Sequence, residues 1–228
     1  MILDDIRARL PLDDLRKRLR IRDDSPWAAE LERLVREAGS IARPKAMAGV
    51  AYIDERGDDF VVVDGVRFSS RVLAVNLQQT HRVFPHLATC GAELYAWANG
   101  IDDVLHRYWA DVICEVAMRS ARAAVLDYLQ ERYRPGELSR MGPGSLADWP
   151  IEEQVPLFRL LGDTEAAIGV RLTDSLLMVP TKTVSGIFFG GAGSFESCAL
   201  CPRASCPDRR APYDPALYDS RYRQRLAR

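Results

Sequence analysis

The feature that most constrains the fold is a long amphipathic segment between Ile101 and about Arg132. Its apolar residues recur at intervals of three and four, the spacing that places side chains on one side of an α-helix. The stripe consists of two adjacent rows, Val104, Tyr108, Val112 and Val116 beside Leu105, Trp109, Ile113 and Ala117, and is continued by Ala121, Val125 and Leu129. An apolar face this broad is typical of a helix packed against a sheet. Pro135-Gly136 ends the segment.

Shorter segments on both sides of this helix have the composition of β-strands. AMAGVAYI and FVVVDGVRF precede it, and Asp64-Gly65 between two apolar runs predicts a tight hairpin. RVLAVNLQQTHRVFPHLATCG predicts a short helix and a strand, and AIGVRLTDSLLMVP and TVSGIFFGG predict two later strands. The sequence therefore predicts an α+β fold with a single domain over residues 1–208. Residues 209–228 are rich in tyrosine and arginine without a clear period, which predicts a C-terminal tail.

Charge and hydropathy exclude several classes of partner. The formal net charge of -1 gives no global argument for binding nucleic acid or an acidic membrane surface. No apolar run approaches the roughly 20 residues of a membrane span, and the charged start MILDDIRARL does not resemble a secretory signal. We therefore expect a cytoplasmic protein without a membrane or nucleic-acid partner. In the cytoplasm thiols stay reduced, so clustered cysteines hold metal more often than they pair.

One segment between Ser139 and Phe189 carries several distinctive motifs. Arg140 begins an R-x-x-P-G sequence, in which Pro143-Gly144 favours a rigid turn and the guanidinium suits a forked contact with a carboxylate. Asp148 and Pro150 predict the N-terminus of a helix, and Trp149 between them is interpreted as a packing residue. P-loop, nucleophile-elbow and HEXXH zinc motifs are absent, which removes those classes of enzyme.

Together these motifs resemble the activation domain of cobalamin-dependent methionine synthase. The matching sequences are R-x-x-P-G at Arg140, DWP at Asp148, IGVRLTDS at Ile168, M-x-P at Met178 and TVSGIFF at Thr183. The resemblance implies an α+β fold with a twisted antiparallel sheet packed against long helices. It also implies a free-standing relative, because modules for homocysteine, folate and cobalamin are absent.

The resemblance further implies a function and a set of contacts. Members of this family bind S-adenosylmethionine and remethylate cobalamin that has reached the inactive cob(II) state, using one electron. Arg140 and the backbone around Pro143 and Gly144 would hold the methionine part of the ligand, beside Phe188 and Phe189. The cobalamin would be carried by a separate corrinoid methyltransferase, such as methionine synthase, and an electron donor protein would supply the electron. Methyl transfer of this kind needs no acid or base, so no catalytic residue is predicted.

The segment ESCALCPRASCPD holds three of the five cysteines in C-x2-C-x4-C spacing. Cys198, Cys201 and Cys206 would supply three soft ligands to one metal centre, and Cys90 is the best candidate for the fourth. Three interpretations stay open: an iron–sulfur cluster, a structural zinc ion, or reduced thiols without metal. The alternative function is accordingly an iron–sulfur electron relay, or a module that docks on a corrinoid protein, without S-adenosylmethionine chemistry. Cys114 lies on the stripe of the long helix and is predicted to be a core residue.

Overall fold

The computed structural model of the chain describes residues 1–191, 195–206 and 209–223. The α-helices in these ranges are α1 (Leu12–Leu19), α2 (Ala28–Ile41), α3 (Arg71–Asn76), α4 (Ala92–Asn99), α5 (Val104–Tyr133), α6 (Gln154–Leu161) and α7 (Thr164–Ile168). The strands are β1 (Ile2–Leu3), β2 (Lys45–Ala48), β3 (Ala51–Arg56), β4 (Phe60–Val63), β5 (Val66–Ser69), β6 (Arg82–Thr89), β7 (Leu138–Met141), β8 (Arg171–Leu172), β9 (Met178–Val179) and β10 (Thr183–Gly190). Two 3₁₀ turns cover Ile151–Glu153 and Ser197–Leu200.

The chain forms two compact units, each drawn from three separate segments. The first unit contains Met1–Ala48, Leu87–Glu131 and Asp163–Val184, and the second contains Gly49–His86, Arg132–Gly162 and Ser185–Arg228. Because the segments alternate along the chain, no single cut separates the units. The predicted boundary at residue 208 therefore stays a prediction.

The first unit is mainly helical. Its buried core joins the apolar faces of α1, α2, α4 and α5, with Leu15, Leu31, Leu34, Leu94, Trp109 and Ile113 among its members. Strand β1 pairs antiparallel with β2. The predicted strand in AIGVRLTDSLLMVP is divided here, because its first residues end α7 and the rest form the β8–β9 hairpin. Gly169 and Leu176 adopt positive φ angles at the helix end and in the hairpin turn, which an uninterrupted strand does not allow.

The second unit contains the first five residues of β6 and the strands β3, β4 and β5, which pair antiparallel in that order, and β7 pairs with β10. The hairpin predicted at Asp64-Gly65 is confirmed: β4 and β5 pair up to Val63 and Val66. Asp64 and Gly65 both have positive φ, as a tight primed turn requires. One face of these strands packs on a core that contains Val61, Phe68, Val83, Met141, Trp149, Ile187 and Phe189.

Part of the segment predicted as a tail is packed in the second unit. Tyr222 is fully buried, its ring meets Phe195 edge to face at 6.4 Å, and its hydroxyl donates to Oδ1 of Asn76 at 3.1 Å. Arg71 donates through Nε to the carbonyl of Tyr222. The residues around Tyr222 are thus not a solvated extension, because a buried aromatic ring fixes them. Residues 224–228 of that segment lie outside the described residues, as do residues 207–208 at the predicted domain boundary.

The long helix and the α+β fold class are confirmed. Helix α5 runs from Val104 to Tyr133, and Trp109, Ile113 and Val116 are buried. The stripe is narrower at its start than predicted: Val104 is 83% and Tyr108 54% exposed. Leu105 is also 41% exposed, so Trp109 is the first residue of the stripe that is buried in the core. In the described ranges no helix is long and apolar enough to cross a bilayer.

Candidate functional site

Strands β7 and β10 bring two of the predicted site residues face to face. In their antiparallel register Arg140 lies opposite Phe188, while Met141 lies opposite Ile187. Directly opposed residues project from the same face of a sheet, and successive residues alternate between faces. Because Met141 and Ile187 belong to the core, Arg140 and Phe188 lie together on the other face.

The R-x-x-P-G sequence forms a tight turn directly after β7. Pro143 is buried and Gly144 is exposed with φ +78°, a conformation that favours glycine. The amide of Gly144 donates to the carbonyl of Trp149 at 2.8 Å, and the amide of Ser145 donates to the carbonyl of Gly142 at 3.1 Å. These bonds fix the turn that the sequence predicts beside Arg140.

Two further glycines let the start of this turn approach β10 very closely. A Cβ atom on Gly142 would lie 2.7 Å from the carbonyl oxygen of Ser185. A Cβ atom on Gly186 would overlap the carbonyl oxygen of Met141 and lie 3.4 Å from Cα of Gly142. Real side-chain atoms do not tolerate such distances, so the position of the turn relative to β10 depends on both glycines.

A histidine that the sequence did not single out completes the aromatic part of the face. The ring of His86 in β6 stacks on the ring of Phe188 with centroids 3.9 Å apart and an interplanar angle of 15°. His86 is almost fully buried. The alternation of β6 was the available signal: Val83 faces the core, so Phe84 and His86 face the opposite side with Phe188.

Phe189 is the predicted ligand contact that the structure does not bring to this face. It lies opposite Ser139, 3% exposed, in the core with Met141 and Ile187. Phe188, the preceding residue, projects from the opposite face of β10, because successive side chains in a strand alternate between faces. The register thus places Arg140 and Phe188 on one face and Phe189 on the other, and both phenylalanines are buried, at 2% and 3% exposure. The roles of these residues towards a ligand stay predictions.

A cavity of about 430 Å³ opens beside the end of β10. Its lining includes Arg82 and Phe84 of β6, together with Pro135, Gly190 and Gly191. Arg82 lies over the rings of Phe84 and Tyr133, at 5.2 and 5.6 Å from their centroids. Arg82 and Phe84 alternate with the core residue Val83, so they lie on the side of β6 that also carries His86. The lining of the cavity does not include His86, Arg140 or Phe188.

The DWP motif supports the site in a way that its sequence did not predict. Asp148 does not cap the turn that follows it; Pro150 stands at that position without a side-chain cap. Instead, Oδ2 of Asp148 accepts hydrogen bonds from Oγ of Ser70 at 2.5 Å and the amide of Val72 at 2.9 Å. These donors belong to the N-terminus of α3, whose free amides a carboxylate satisfies. Trp149 is fully buried, which confirms its interpretation as a packing residue.

Cys90 and Cys114 are core residues of the first unit. Cys90 is fully buried and its thiol donates to the carbonyl of Gly91 at 3.6 Å, while the Cys114 thiol donates to the carbonyl of Leu94 at 3.7 Å. The hydrogen bond with Cys90, together with burial, raises the pKa of the Cys114 thiol far above its ordinary value. The interpretation of Cys114 as a core residue is confirmed. Cys90 is buried in the same core, against α4 and α5.

The predicted metal centre finds no support in the structure. Across residues 1–191, 195–206 and 209–223, no group of three or more histidine, cysteine or acidic side chains is arranged to hold a metal ion. All five cysteines are free thiols, and Cys198, Cys201 and Cys206 are partly exposed. The described residues therefore give no support for an iron–sulfur cluster or a zinc ion.

Comparison with known proteins finds a family model that matches part of the chain. Residues 117–198 match the family model described as vitamin B12 dependent methionine synthase, activation domain. This range contains Arg140, the R-x-x-P-G turn and both phenylalanines, so the resemblance predicted from the sequence is confirmed. No curated protein matches the chain.

The same fold occurs in the crystal structure of the MetH reactivation domain bound to AdoHcy. The match has a TM-score of 0.57 and 15% sequence identity, and it covers 83% of this chain and 78% of that one. At this identity the likeness demonstrates a shared fold. It confirms the predicted fold class, with its curled antiparallel sheet, over most of the chain.

Proposed function

We propose that this chain binds S-adenosylmethionine on the face of β7 and β10 and supports reductive remethylation of cob(II)alamin on a separate, cytoplasmic corrinoid methyltransferase. The observation that carries the proposal is the register that places Arg140 opposite Phe188, beside the R-x-x-P-G turn and inside the matched family range. The AdoHcy bound to the MetH domain of the same fold supports this class of ligand.

The residues of this face suit the chemistry of the ligand. Arg140 offers a forked cationic donor to the carboxylate of the methionine part. Phe188, held by its stack on His86, offers an apolar wall, and the cavity beside Gly190 falls in the size range of small-molecule sites. When bound, S-adenosylmethionine supplies a methyl group activated by its sulfonium. The chain itself contributes orientation, which needs no acid or base.

The alternative of an iron–sulfur electron relay lacks a comparable observation. No metal-holding group occurs in the described parts of the chain, so a separate donor protein would deliver the electron. The two functions differ in their need for S-adenosylmethionine. A corrinoid methyltransferase inactivated to cob(II)alamin, supplied with a chemical reductant, should regain methylcobalamin absorption only when both this chain and S-adenosylmethionine are present. Cobalamin reduction by this chain that ignores S-adenosylmethionine would instead support the relay.

Binding itself is tested by isothermal titration with S-adenosylmethionine. Arg140→Ala should weaken binding roughly ten- to hundredfold, because a charge-assisted contact contributes about 1.5–3 kcal/mol. Arg140→Lys should be nearly as damaging, since an ammonium cannot reproduce the fork. Arg159→Ala is the matched control, because Arg159 is exposed on α6. Absence of binding by folded wild-type protein would overturn the proposal, and equal affinity of the Arg140 and Arg159 variants would remove Arg140 from the site.

A further inference from the structure

The cysteine-rich segment is held in a defined shape by a single arginine. We call residues 195–206 together with 209–211 the thiol loop. Arg209 donates through Nη1 to the carbonyls of Cys198 at 2.9 Å and Ala211 at 3.1 Å. Through Nη2 it donates to the carbonyls of Cys201 at 2.9 Å and Arg203. The guanidinium of Arg209 thus fixes the backbone at Cys198 and Cys201. A fixed backbone keeps the two thiols near each other, which a specific thiol reaction requires.

Cys198 and Cys201 are placed for a bond to each other. The 3₁₀ turn Ser197–Leu200 carries Cys198, and the amide of Cys201 donates to the Cys198 carbonyl at 3.3 Å. In such a turn residues three apart lie on the same side, with Cα atoms about 6 Å apart. Disulfides form readily at Cα separations of roughly 4.4–6.8 Å. This pair therefore meets the spacing requirement with little movement of the backbone.

The surroundings of Cys198 favour its thiolate. Burial acts to raise the pKa of the Cys198 thiol, but hydrogen bonds from the backbone amides of Arg210 and Ala211 and from the Arg210 side chain outweigh it, so the pKa lies below its ordinary value. Arg210 is itself held by an ion pair to Glu196, with Nη2 and Oε2 2.6 Å apart. A partly exposed thiol with cationic and amide donors is the environment of reactive cysteines.

The other thiols differ from Cys198 in ways that assign them separate roles. Cys201 packs against the core of the second unit beside Leu200, which keeps it close to the 3₁₀ turn. Cys90 and Cys114 are buried in the core of the first unit, where a reagent reaches them only after unfolding. The segment therefore has one partly exposed thiol with donors around it, at Cys198, and an adjacent partner at Cys201.

We propose that Cys198 and Cys201 form a thiol–disulfide exchange site, which reacts with low-molecular-weight disulfides. The Cys198 thiolate attacks one sulfur of the disulfide RSSR, forms a mixed disulfide and releases one RS⁻. The Cys201 thiolate then attacks the Cys198 sulfur, forms the Cys198–Cys201 bond and releases the second RS⁻. The two cysteine thiols lose two electrons and two protons, and RSSR is reduced to two RSH. An excess of small thiol reverses both steps.

Oxidised glutathione is the probe, with peptide mapping by mass spectrometry as the readout. Native wild-type protein should yield a Cys198–Cys201 disulfide, and Cys206→Ser should yield the same product. Cys201→Ser should accumulate one glutathionyl group on Cys198, because the second step is blocked. Cys198→Ser should remain unmodified at Cys201 over the same period. Cys90 and Cys114 serve as internal controls that stay reduced until denaturant is added.

The role of Arg210 is tested by the rate of alkylation of Cys198 at neutral pH. Removing the Arg210 side-chain donor should raise the pKa of the Cys198 thiol and lower its thiolate fraction by more than the gain in intrinsic nucleophilicity, so Cys198 in Arg210→Ala should be alkylated more slowly than in wild type. Arg203→Ala is the control, because only the backbone carbonyl of Arg203 joins the loop network. Circular dichroism confirms that the variants are folded.

Three outcomes would overturn the proposal. They are a native disulfide that joins Cys198 or Cys201 to Cys206, equal glutathionylation of Cys198 and Cys206 in native protein, and no reaction of Cys198 under conditions that oxidise a free cysteine peptide. None of these measurements involves S-adenosylmethionine or cobalamin. These experiments therefore test the exchange site independently of the proposed function.

Discussion

Replacing Gly186 by alanine should strain the junction between β10 and the R-x-x-P-G turn. The new Cβ would overlap the carbonyl oxygen of Met141 and lie 3.2 Å from its carbonyl carbon and 3.4 Å from Cα of Gly142. All three neighbours are backbone atoms of the paired strand, so no side chain can rotate away. The strands must separate, and overpacking of this kind costs about 1–3 kcal/mol. For a chain of this size, that corresponds to a fall in melting temperature of roughly 2 to 12 °C.

Gly39→Ala is the matched control, and we expect it to increase the stability of the fold instead of decreasing it. Gly39 is exposed in α2, and an added Cβ would meet nothing within 4 Å. Alanine there should increase the free energy of unfolding by about 0.5–1 kcal/mol, because it restricts the unfolded chain and favours the helix. The same substitution thus destabilises one site and stabilises the other, purely through local geometry.

Urea unfolding followed by both circular dichroism and tryptophan fluorescence measures these changes. If both signals give the same transition, the two units unfold together, and one free energy of unfolding then describes the whole chain. Titration with S-adenosylmethionine should show weaker binding to the Gly186 variant, since the turn beside Arg140 is displaced. If Gly186→Ala were as stable as wild type and bound the ligand equally well, the close approach of the two strands would not position the turn.

The remaining predictions concern single residues of the second unit. Burial raises the pKa of the Tyr222 phenol above its ordinary value of about 10. The neutral phenol therefore stabilises the fold below about pH 10, and this stabilisation is lost as the pH rises through the higher pKa of the folded state. Tyr222→Phe should reduce the pH dependence of the free energy of unfolding in that alkaline range. Asp148→Ala should cost about 1–3 kcal/mol in urea unfolding, because Ser70 and the Val72 amide lose their buried acceptor, and an unchanged midpoint would contradict this role. Phe189→Leu should destabilise the fold through the cavity it leaves, by less than the roughly 3–5 kcal/mol of a phenylalanine-to-alanine change. It should leave the affinity for S-adenosylmethionine unchanged in calorimetry, because Phe189 faces the core, and a large loss of affinity would place it at the ligand.

The sequence was most informative where a short motif determines its own backbone. Asp64-Gly65 forms the predicted hairpin, and Pro143-Gly144 forms the predicted turn, because their conformational preferences act over two to four residues. Helix α5 was also predictable from the sequence, because its apolar residues recur at helical spacing along its thirty residues. The predicted strand in AIGVRLTDSLLMVP was wrong in part, because apolar runs of that length do not distinguish a helix end and a hairpin from a strand.

In the candidate site, the sequence did not predict contacts between residues that are far apart along the chain. The motifs supplied Arg140 and Phe188, and strand alternation already separates Phe188 from Phe189, a step that a resemblance alone does not make. His86 lies 102 positions before Phe188, and only the arrangement of β6 and β10 brings the two rings to 3.9 Å. Likewise, only the fold assigns Asp148 to the amides of α3, because the Ser70 and Val72 donors are 78 and 76 positions away.

The cysteines divide along the same line. Their number and spacing are properties of the sequence, and they predicted a metal centre, with reduced thiols as the alternative. The tertiary structure alone decides that Cys90 is buried in a core and that Cys198 receives donors from Arg210 and Ala211. The physical reason is that a thiolate is stabilised by the charges and amides around it in space, whereas spacing along the chain fixes only which thiols can be near neighbours.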